Sequence, residues 1–120
     1  MLKEYGDIDV VLDPFPFSGG MTSCEALWMG VPVLTLLGGK PAGRQTAGFL
    51  RTVGLPEWIT ISLAQFVARA QEIASEYGEL ESIRFELRER MTVSTLCDGE
   101  KFTKNLEAVY REMWRAWVSK

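Results

Sequence analysis

The chain has 120 residues, of which 47% are hydrophobic, and a formal net charge of -3 at pH 7. This length suits one domain with its own core, and the scattered Lys and Arg residues argue against a nucleic-acid partner. The absence of histidine excludes a self-contained Ser/His/Asp mechanism and a histidine-based zinc site. Cys24 and Cys97 form no CxxC pair, and no apolar run approaches the length of a membrane span. We therefore expect reduced thiols, no membrane partner and a cytoplasmic location.

The first patterned stretch is a short apolar segment that leads into a loop rich in Pro and Gly. Residues 8–12 predict a buried parallel strand that ends at Asp13. After the loop, a helix is predicted from about Thr22 to Met29, with Thr22 or a neighbour as N-cap and Gly30 at its C-terminal end. Because a helix N-terminus gathers unpaired N–H groups and the positive end of the dipole, this junction predicts a phosphate site.

The following segments continue the alternation of strands and helices. Residues 33–37 predict a second buried strand, and the glycine-rich loop 38–43 leads into a helix that ends near Gly54. Residues 59–61 predict a third, shorter strand. This order favours an α/β fold with about three parallel strands and right-handed crossovers. Because so small a sheet is unusual for this class, we expect half of a larger Rossmann-like domain.

Three helices are predicted after the strands. The first begins with a capping box at Ser62 and Gln65, is expected to stop at Gly78, and has one apolar face: Leu63, Phe66, Val67, Ala70, Ile73, Ala74 and Tyr77. The second presents Leu80, Ile83, Leu87 and Met91. The last has an apolar stripe: Phe102, Leu106, Val109, Tyr110, Met113, Trp114 and Trp117. Core packing explains such a stripe, and contact with an absent domain or a second copy is the alternative.

A specific sequence pattern spans residues 13–32 and includes the run Ala-Leu-Trp-Met-Gly-Val-Pro at 26–32. This pattern resembles the C-terminal catalytic lobe of the bacterial, TPR-containing protein O-linked N-acetylglucosamine transferases of glycosyltransferase family 41. Further similar segments lie at 39–44, 53–57, 87–91, 94–98 and 113–117, so the resemblance covers essentially the whole chain. It implies a GT-B architecture of two Rossmann-like lobes, with this chain as the C-terminal half of the second lobe. Residues 1–61 would form the donor-binding half and residues 62–120 the C-terminal helices.

The resemblance also implies an activity. The family transfers a sugar from a UDP-sugar, UDP-N-acetylglucosamine or a related donor, to Ser or Thr hydroxyls of proteins, with inversion and without a metal or other cofactor. This chain would contribute donor binding and no catalytic residue, because the acceptor site and any general base would lie upstream. We therefore expect the isolated chain to be inactive. UDP-glucose and GDP-fucose stay open as donors, since the residues that distinguish them are mostly outside the chain.

By resemblance, the substrate-binding residues are Gly19, Gly20, Met21, Thr22, Ser23 and Glu25. The backbone N–H groups from Gly20 to Ser23 and the Thr22 hydroxyl would bind the diphosphate, while Glu25 would accept hydrogen bonds from the ribose hydroxyls. Met21 stands where the family usually has threonine. The backbone N–H survives that change but a hydroxyl donor is lost, which costs about 1 kcal/mol of phosphate binding if the contact matters.

Spacing alone allows a different role for Glu25. Residues 22–25 match the capping box S/T-x-x-E, in which Glu25 reaches back to the Thr22 backbone N–H. The two roles are compatible if Glu25 caps the helix in the empty site and binds ribose in the loaded one. Lys40 and Arg44, at the carboxyl edge of the sheet, are candidates for substrate contact or for solvated surface charge.

A non-catalytic module is the alternative function. In that hypothesis the Rossmann-like half serves only packing, and the chain recruits a partner or a second copy of itself. A homodimer would form through an exposed edge of the sheet or through the Trp-rich C-terminal helix.

Overall fold

The computed structural model describes residues 2–120, which form a three-stranded parallel sheet in the order β1-β2-β3 with five α-helices. The elements in chain order are β1 (Val11–Leu12), α1 (Met21–Trp28), β2 (Val33–Leu36), α2 (Gln45–Thr52), β3 (Ile59–Thr60), α3 (Leu63–Ser75), α4 (Tyr77–Thr92) and α5 (Gly99–Val118). The prediction of an α/β fold with three parallel strands is confirmed.

The central strand β2 is the middle of the core. Val11 of β1 pairs with Val33, and Thr35 pairs with Ile59 of β3. Helices α1, α2 and α3 all contact β2, so Val33, Leu34 and Thr35 are completely buried. Because the strands are parallel, their carboxyl ends and the loops that follow them lie at one edge of the sheet.

The predicted apolar face of helix α4 is confirmed. Leu80, Ile83, Leu87 and Met91 are all buried in the core. Their spacing of three and four residues places them on one side of the helix, which packs against α1 and α3. The apolar period alone was therefore sufficient to predict this element.

Arginines of α4 bind the ends of neighbouring segments. Arg88 Nε donates to the Trp28 carbonyl at 2.9 Å, where α1 ends, and its guanidinium lies 5.3 Å from the Trp28 ring centroid. Arg90 donates to the Gly54 carbonyl at 3.3 Å, just beyond α2. Gly30 and Gly54 have φ of 84° and 75°, values that favour glycine, which confirms both predicted helix ends.

The first predicted strand is wrong in length. Residues Leu2–Asp7 form a 3-10 helix, and only Val11–Leu12 form β1. Strand pairing begins only where the backbone meets β2, at Val11, because Arg84 holds the preceding turn by binding the carbonyls of Tyr5 and Ile8. As β1 is an edge of the sheet, Leu12 is 56% exposed instead of buried.

The start of α3 follows the prediction and its end does not. The Gln65 N–H donates to Ser62 Oγ at 3.2 Å, although Gln65 Oε1 accepts from the Ile61 N–H and not from that of Ser62. The helix stops at Ser75, and Gly78 lies inside α4, so the predicted stop is wrong. The physical reason is tertiary: the non-helical Glu76 separates the two helices, and α4 then packs back on α3.

The predicted apolar face of α3 is only partly correct. Phe66 and Ile73 are buried, while Leu63 and Val67 are exposed, and Tyr77 lies outside α3, as the exposed first residue of α4. The narrow sheet explains the difference, because it covers only the part of α3 that packs on β2 and β3.

The core-packing explanation for the last helix is wrong. No residue of α5 is buried, and Trp114 and Trp117 are 66% and 71% exposed. Helices α1 to α4 already contact the sheet or one another, which leaves α5 outside the core. Contact of its stripe with another domain or a second copy stays a prediction. None of the helices in residues 2–120 combines the length and apolarity that crossing a membrane requires.

We expect Leu87→Ala to lower the free energy of unfolding by about 2–5 kcal/mol, because Leu87 is completely buried and its truncation leaves a cavity. Phe85→Ala is the matched control on the same helix. Phe85 is 91% exposed, and its loss should change stability by less than about 0.5 kcal/mol. Urea unfolding followed by circular dichroism measures both, and equal losses would contradict the packing of α4.

Candidate functional site

The loop between β1 and α1 is held by the buried carboxylate of Asp13. Its Oδ1 accepts a hydrogen bond from the Gly19 N–H at 2.7 Å, and its Oδ2 accepts one from the Thr35 hydroxyl at 2.6 Å. One side chain at the end of β1 therefore fixes the loop and β2 together. Sequence reasoning missed this role of Asp13, although its position at the carboxyl end of a strand was an available indication.

Three hydroxyl groups join the same loop to α2. Ser18 Oγ donates to the Ala42 carbonyl at 2.9 Å and accepts from the Gln45 N–H at 3.1 Å. Thr46 Oγ1 donates to the Gly19 carbonyl at 3.0 Å and lies 2.8 Å from Ser23 Oγ. The Ser23 side chain is thus buried against α2, so its backbone N–H, and not its hydroxyl, is the group left for a ligand.

Helix α1 begins one residue earlier than predicted. Its N-cap is Gly20, which makes no side-chain capping bond, so Thr22 is not the N-cap, and the capping box of Thr22 with Glu25 that the spacing allowed does not form. The reason is the loop contact at Gly19, which brings the chain into the helix before Thr22. The first helical bond runs from the Cys24 N–H to the Gly20 carbonyl at 3.2 Å. Within residues 2–120, the N–H groups of residues 21–23 have no acceptor.

Glu25 lies one turn further along α1 and lines a cavity of about 350 Å³. Its Oε2 is buried and, among the described residues, has no hydrogen-bond donor. The other residues that line the cavity are Leu2, Met21, Cys24, Trp28, Met91, Leu96 and Cys97. A buried carboxylate oxygen without a donor is unfavourable, so the cavity is suited to a ligand that supplies hydroxyl or N–H groups.

The two thiols of this cavity have different surroundings. Burial raises the pKa of Cys24, and the nearby Cys97 and Glu25 raise it further. Cys24 is half-buried and Cys97 is exposed, and both are free. A raised pKa keeps the Cys24 thiol protonated at neutral pH, which makes it a poor nucleophile.

The remaining candidate residues from the sequence are all exposed. Met21 is 74% exposed, and Thr22 is exposed beside it at the start of α1. Lys40 is also exposed and lines a second cavity of about 460 Å³ with Phe17 and Gly39. Arg44 Nε donates to a carbonyl of its own loop, that of Gly38, at 2.7 Å. Among residues 2–120, no three His, Cys, Asp or Glu side chains lie close enough together to hold a metal ion.

The sequence of this chain matches the model of Glycosyl transferase family 41 over residues 5–106. The chain belongs to this family. It is 41% identical over 116 residues to the probable UDP-N-acetylglucosamine–peptide N-acetylglucosaminyltransferase SPINDLY of Solanum lycopersicum, a match that covers 97% of the chain and 12% of that protein. It is 33% identical to the probable UDP-N-acetylglucosamine–peptide N-acetylglucosaminyltransferase SEC of Arabidopsis thaliana, with 92% and 12% covered.

A solved structure shares the fold of this family 41 chain. It is a mutant of the Thermobaculum terrenum O-GlcNAc transferase, with a TM-score of 0.86 and 44% identity, and the match covers 95% of this chain and 22% of that one. This likeness agrees with the α/β fold described above. The family 41 chain spans about 12% of the length of the curated relatives.

Gly19→Ala should destabilise the family 41 chain by about 1–3 kcal/mol, because the added methyl group would collide with Ser23 Oγ and approach Asp13 Oδ1. The control is Gly39→Ala, where an added Cβ meets no heavy atom within 4 Å, and its effect should stay below about 0.5 kcal/mol. Thermal unfolding compares the two. A Gly19 variant as stable as the Gly39 variant would contradict the tight loop.

Proposed function

We propose that this chain is the donor-binding part of a glycosyltransferase that moves N-acetylglucosamine from UDP-N-acetylglucosamine to Ser or Thr hydroxyls of proteins. The family and the names of the relatives support this proposal. The observation that supports it best is the buried, unpaired Oε2 of Glu25, a residue that lines a cavity one helical turn from three N–H groups that have no acceptor in residues 2–120. A UDP molecule would satisfy both, with its diphosphate on the amides and its ribose on Glu25.

The proposed chemistry follows from the free N–H groups and the Glu25 carboxylate. The N–H groups of residues 21–23 and the helix dipole stabilise negative charge, which is the charge that develops on the departing UDP. Glu25 accepts hydrogen bonds from both ribose hydroxyls with charge assistance. In the proposed complex the donor needs no metal or other cofactor from this chain. No side chain here is assigned to deprotonate the acceptor hydroxyl.

The whole enzyme requires more than this chain. We place the acceptor site, the base and the uracil pocket in the rest of a GT-B enzyme that also contains TPR repeats and acts in the cytoplasm. Residues 1–61 would form the donor-binding half of a lobe in that enzyme, followed by the helices of residues 62–120. UDP-glucose and GDP-fucose stay alternatives to UDP-N-acetylglucosamine, and the isolated chain should transfer no sugar.

Titration with UDP tests the donor site. Changes in the amide resonances of the labelled chain should concentrate at residues 20–25, since NMR detects weak binding to part of a site. Glu25→Gln should weaken UDP binding by about tenfold, because it removes charge from an acceptor of two hydroxyl groups. It should also remove the preference for UDP over deoxy-UDP, which lacks one of those hydroxyls.

Glu89→Gln is the control, because it makes the same chemical change at an exposed position of α4. UDP should bind this variant as it binds the wild type. If the shifts avoid residues 20–25, or if both glutamine variants behave alike, the proposed donor site is wrong.

Self-association is the second candidate function, and the exposed stripe of α5 favours it. The stripe includes Met113 and Trp117, 62% and 71% exposed, on a helix of 20 residues. A contiguous apolar surface of this kind is typical of a protein interface. A second copy of the chain offers the same surface, so two α5 helices could pack together and bury both stripes.

The mass of the chain in solution tests this candidate. Analytical ultracentrifugation should find a dimer for the wild type and a monomer for the double variant Met113→Lys and Trp117→Lys, because two charges would lie in the apolar contact. Ala108→Lys, on the polar side of α5, should stay dimeric. A monomeric wild type, or a dimer that persists in the double variant, would rule out this interface.

A further inference from the structure

The peptide groups on both sides of Gly19 are held by side chains from different elements. The Gly19 N–H donates to Asp13 Oδ1 at 2.7 Å, and the Gly19 carbonyl accepts from Thr46 Oγ1 at 3.0 Å. Asp13 follows β1, whereas Thr46 belongs to the first turn of α2. Gly19 is therefore fixed in orientation as well as in position, two residues before α1 begins.

The protons of this network have only one consistent arrangement. A carbonyl oxygen only accepts, so the single proton of the Thr46 hydroxyl is used on Gly19. Ser23 Oγ, 2.8 Å from Thr46 Oγ1, must then be the donor to it. In the same way Thr35 donates to the Asp13 carboxylate. Each hydroxyl is thereby directed inward, and none competes for a ligand at the N-terminus of α1.

The side chains of the network are buried. Asp13, Ser23, Thr35 and Thr46 are at most 3% exposed. Buried polar groups of this kind add little net stability compared with well-packed apolar groups, but they define one orientation of the backbone. An apolar side chain in place of Thr46 would fill the same space but would not orient the Gly19 peptide.

We infer that Asp13 and Thr46 are positioning residues of the donor site, which act through Gly19 to aim the N–H groups of residues 21–23 at the diphosphate. This inference rests on the proposed function. Donors that are already oriented bind phosphate without a reorganisation cost, so loss of the clamp at Gly19 should weaken phosphate binding even in a folded chain. Neither side chain touches the nucleotide.

The test compares variants of Thr46. Thr46→Val keeps the shape but removes the hydroxyl, and it should weaken binding of both UDP and inorganic pyrophosphate by about tenfold. Thr46→Ser restores the hydroxyl and should bind both ligands as the wild type does, although it loses a buried methyl group and some thermal stability. Thr52→Val is the control, because Thr52 is exposed on the same helix and its hydroxyl bonds only to the Gly48 carbonyl of its own turn.

Affinities come from the amide shifts of residues 20–25, and stability comes from thermal unfolding of each variant. If affinity follows stability, so that the serine variant loses binding as the valine variant does, the role is merely structural and the inference is overturned. Equal UDP binding by wild type and Thr46→Val also overturns it.

The outcome for wild type separates this inference from the proposed function. If the wild type shows no shift with millimolar UDP, the donor site itself is contradicted. Amide hydrogen exchange then still tests the clamp without a ligand: Thr46→Val should exchange faster at Gly19 and Cys24, whose N–H groups are hydrogen-bonded at the start of α1, with α4 unchanged. Unchanged exchange at those positions would overturn the inference.

Discussion

The Asp13 carboxylate is the contact on which the candidate site depends. A charge this deeply buried is unfavourable unless donors surround it, and both of its oxygens accept hydrogen bonds, from the Gly19 N–H and the Thr35 hydroxyl. The Thr35 carbonyl accepts in turn from the Thr60 hydroxyl at 2.8 Å, which extends the network from β1 to β3. Hydrogen bonds across all three strands thus define where the loop lies relative to the sheet, with apolar packing beneath them.

The two ends of α1 have different hydrogen-bond partners, and the N-terminal end suits an anion. At its C-terminal end, Arg88 binds the Trp28 carbonyl and places a cation beside the negative end of the helix dipole. At its N-terminal end the residues 21–23 offer N–H groups that no described residue accepts, and Glu25 lines the adjacent cavity. The free N–H groups and the helix dipole therefore supply positive partial charge at the start of α1 without a basic side chain, in a chain whose net charge is -3.

Local patterns were sufficient where neighbouring residues decide the structure. The sequence predicted the face of α4, the Ser62 side of the cap on α3, and the helix ends near Gly30 and Gly54. Each of these features depends on residues within one or two turns. Local patterns failed where contacts between residues distant in the chain decide the structure. Gly78 is not a helix stop because α4 packs on α3, and the stripe of α5 is not core because four other helices already cover the sheet and one another.

The sequence by itself determined the strand and helix order, the apolar face of α4 and the family motifs from residue 13 to residue 32, because these are properties of contiguous residues. Only the tertiary structure decided how the candidate site is built. Asp13 meets Thr35 and Gly19 meets Thr46 across 22 and 27 positions of the chain, and no local period places such pairs together. The same contacts turned the Ser23 hydroxyl inward and started α1 at Met21, since a hydrogen bond to a distant hydroxyl outweighs a local capping preference.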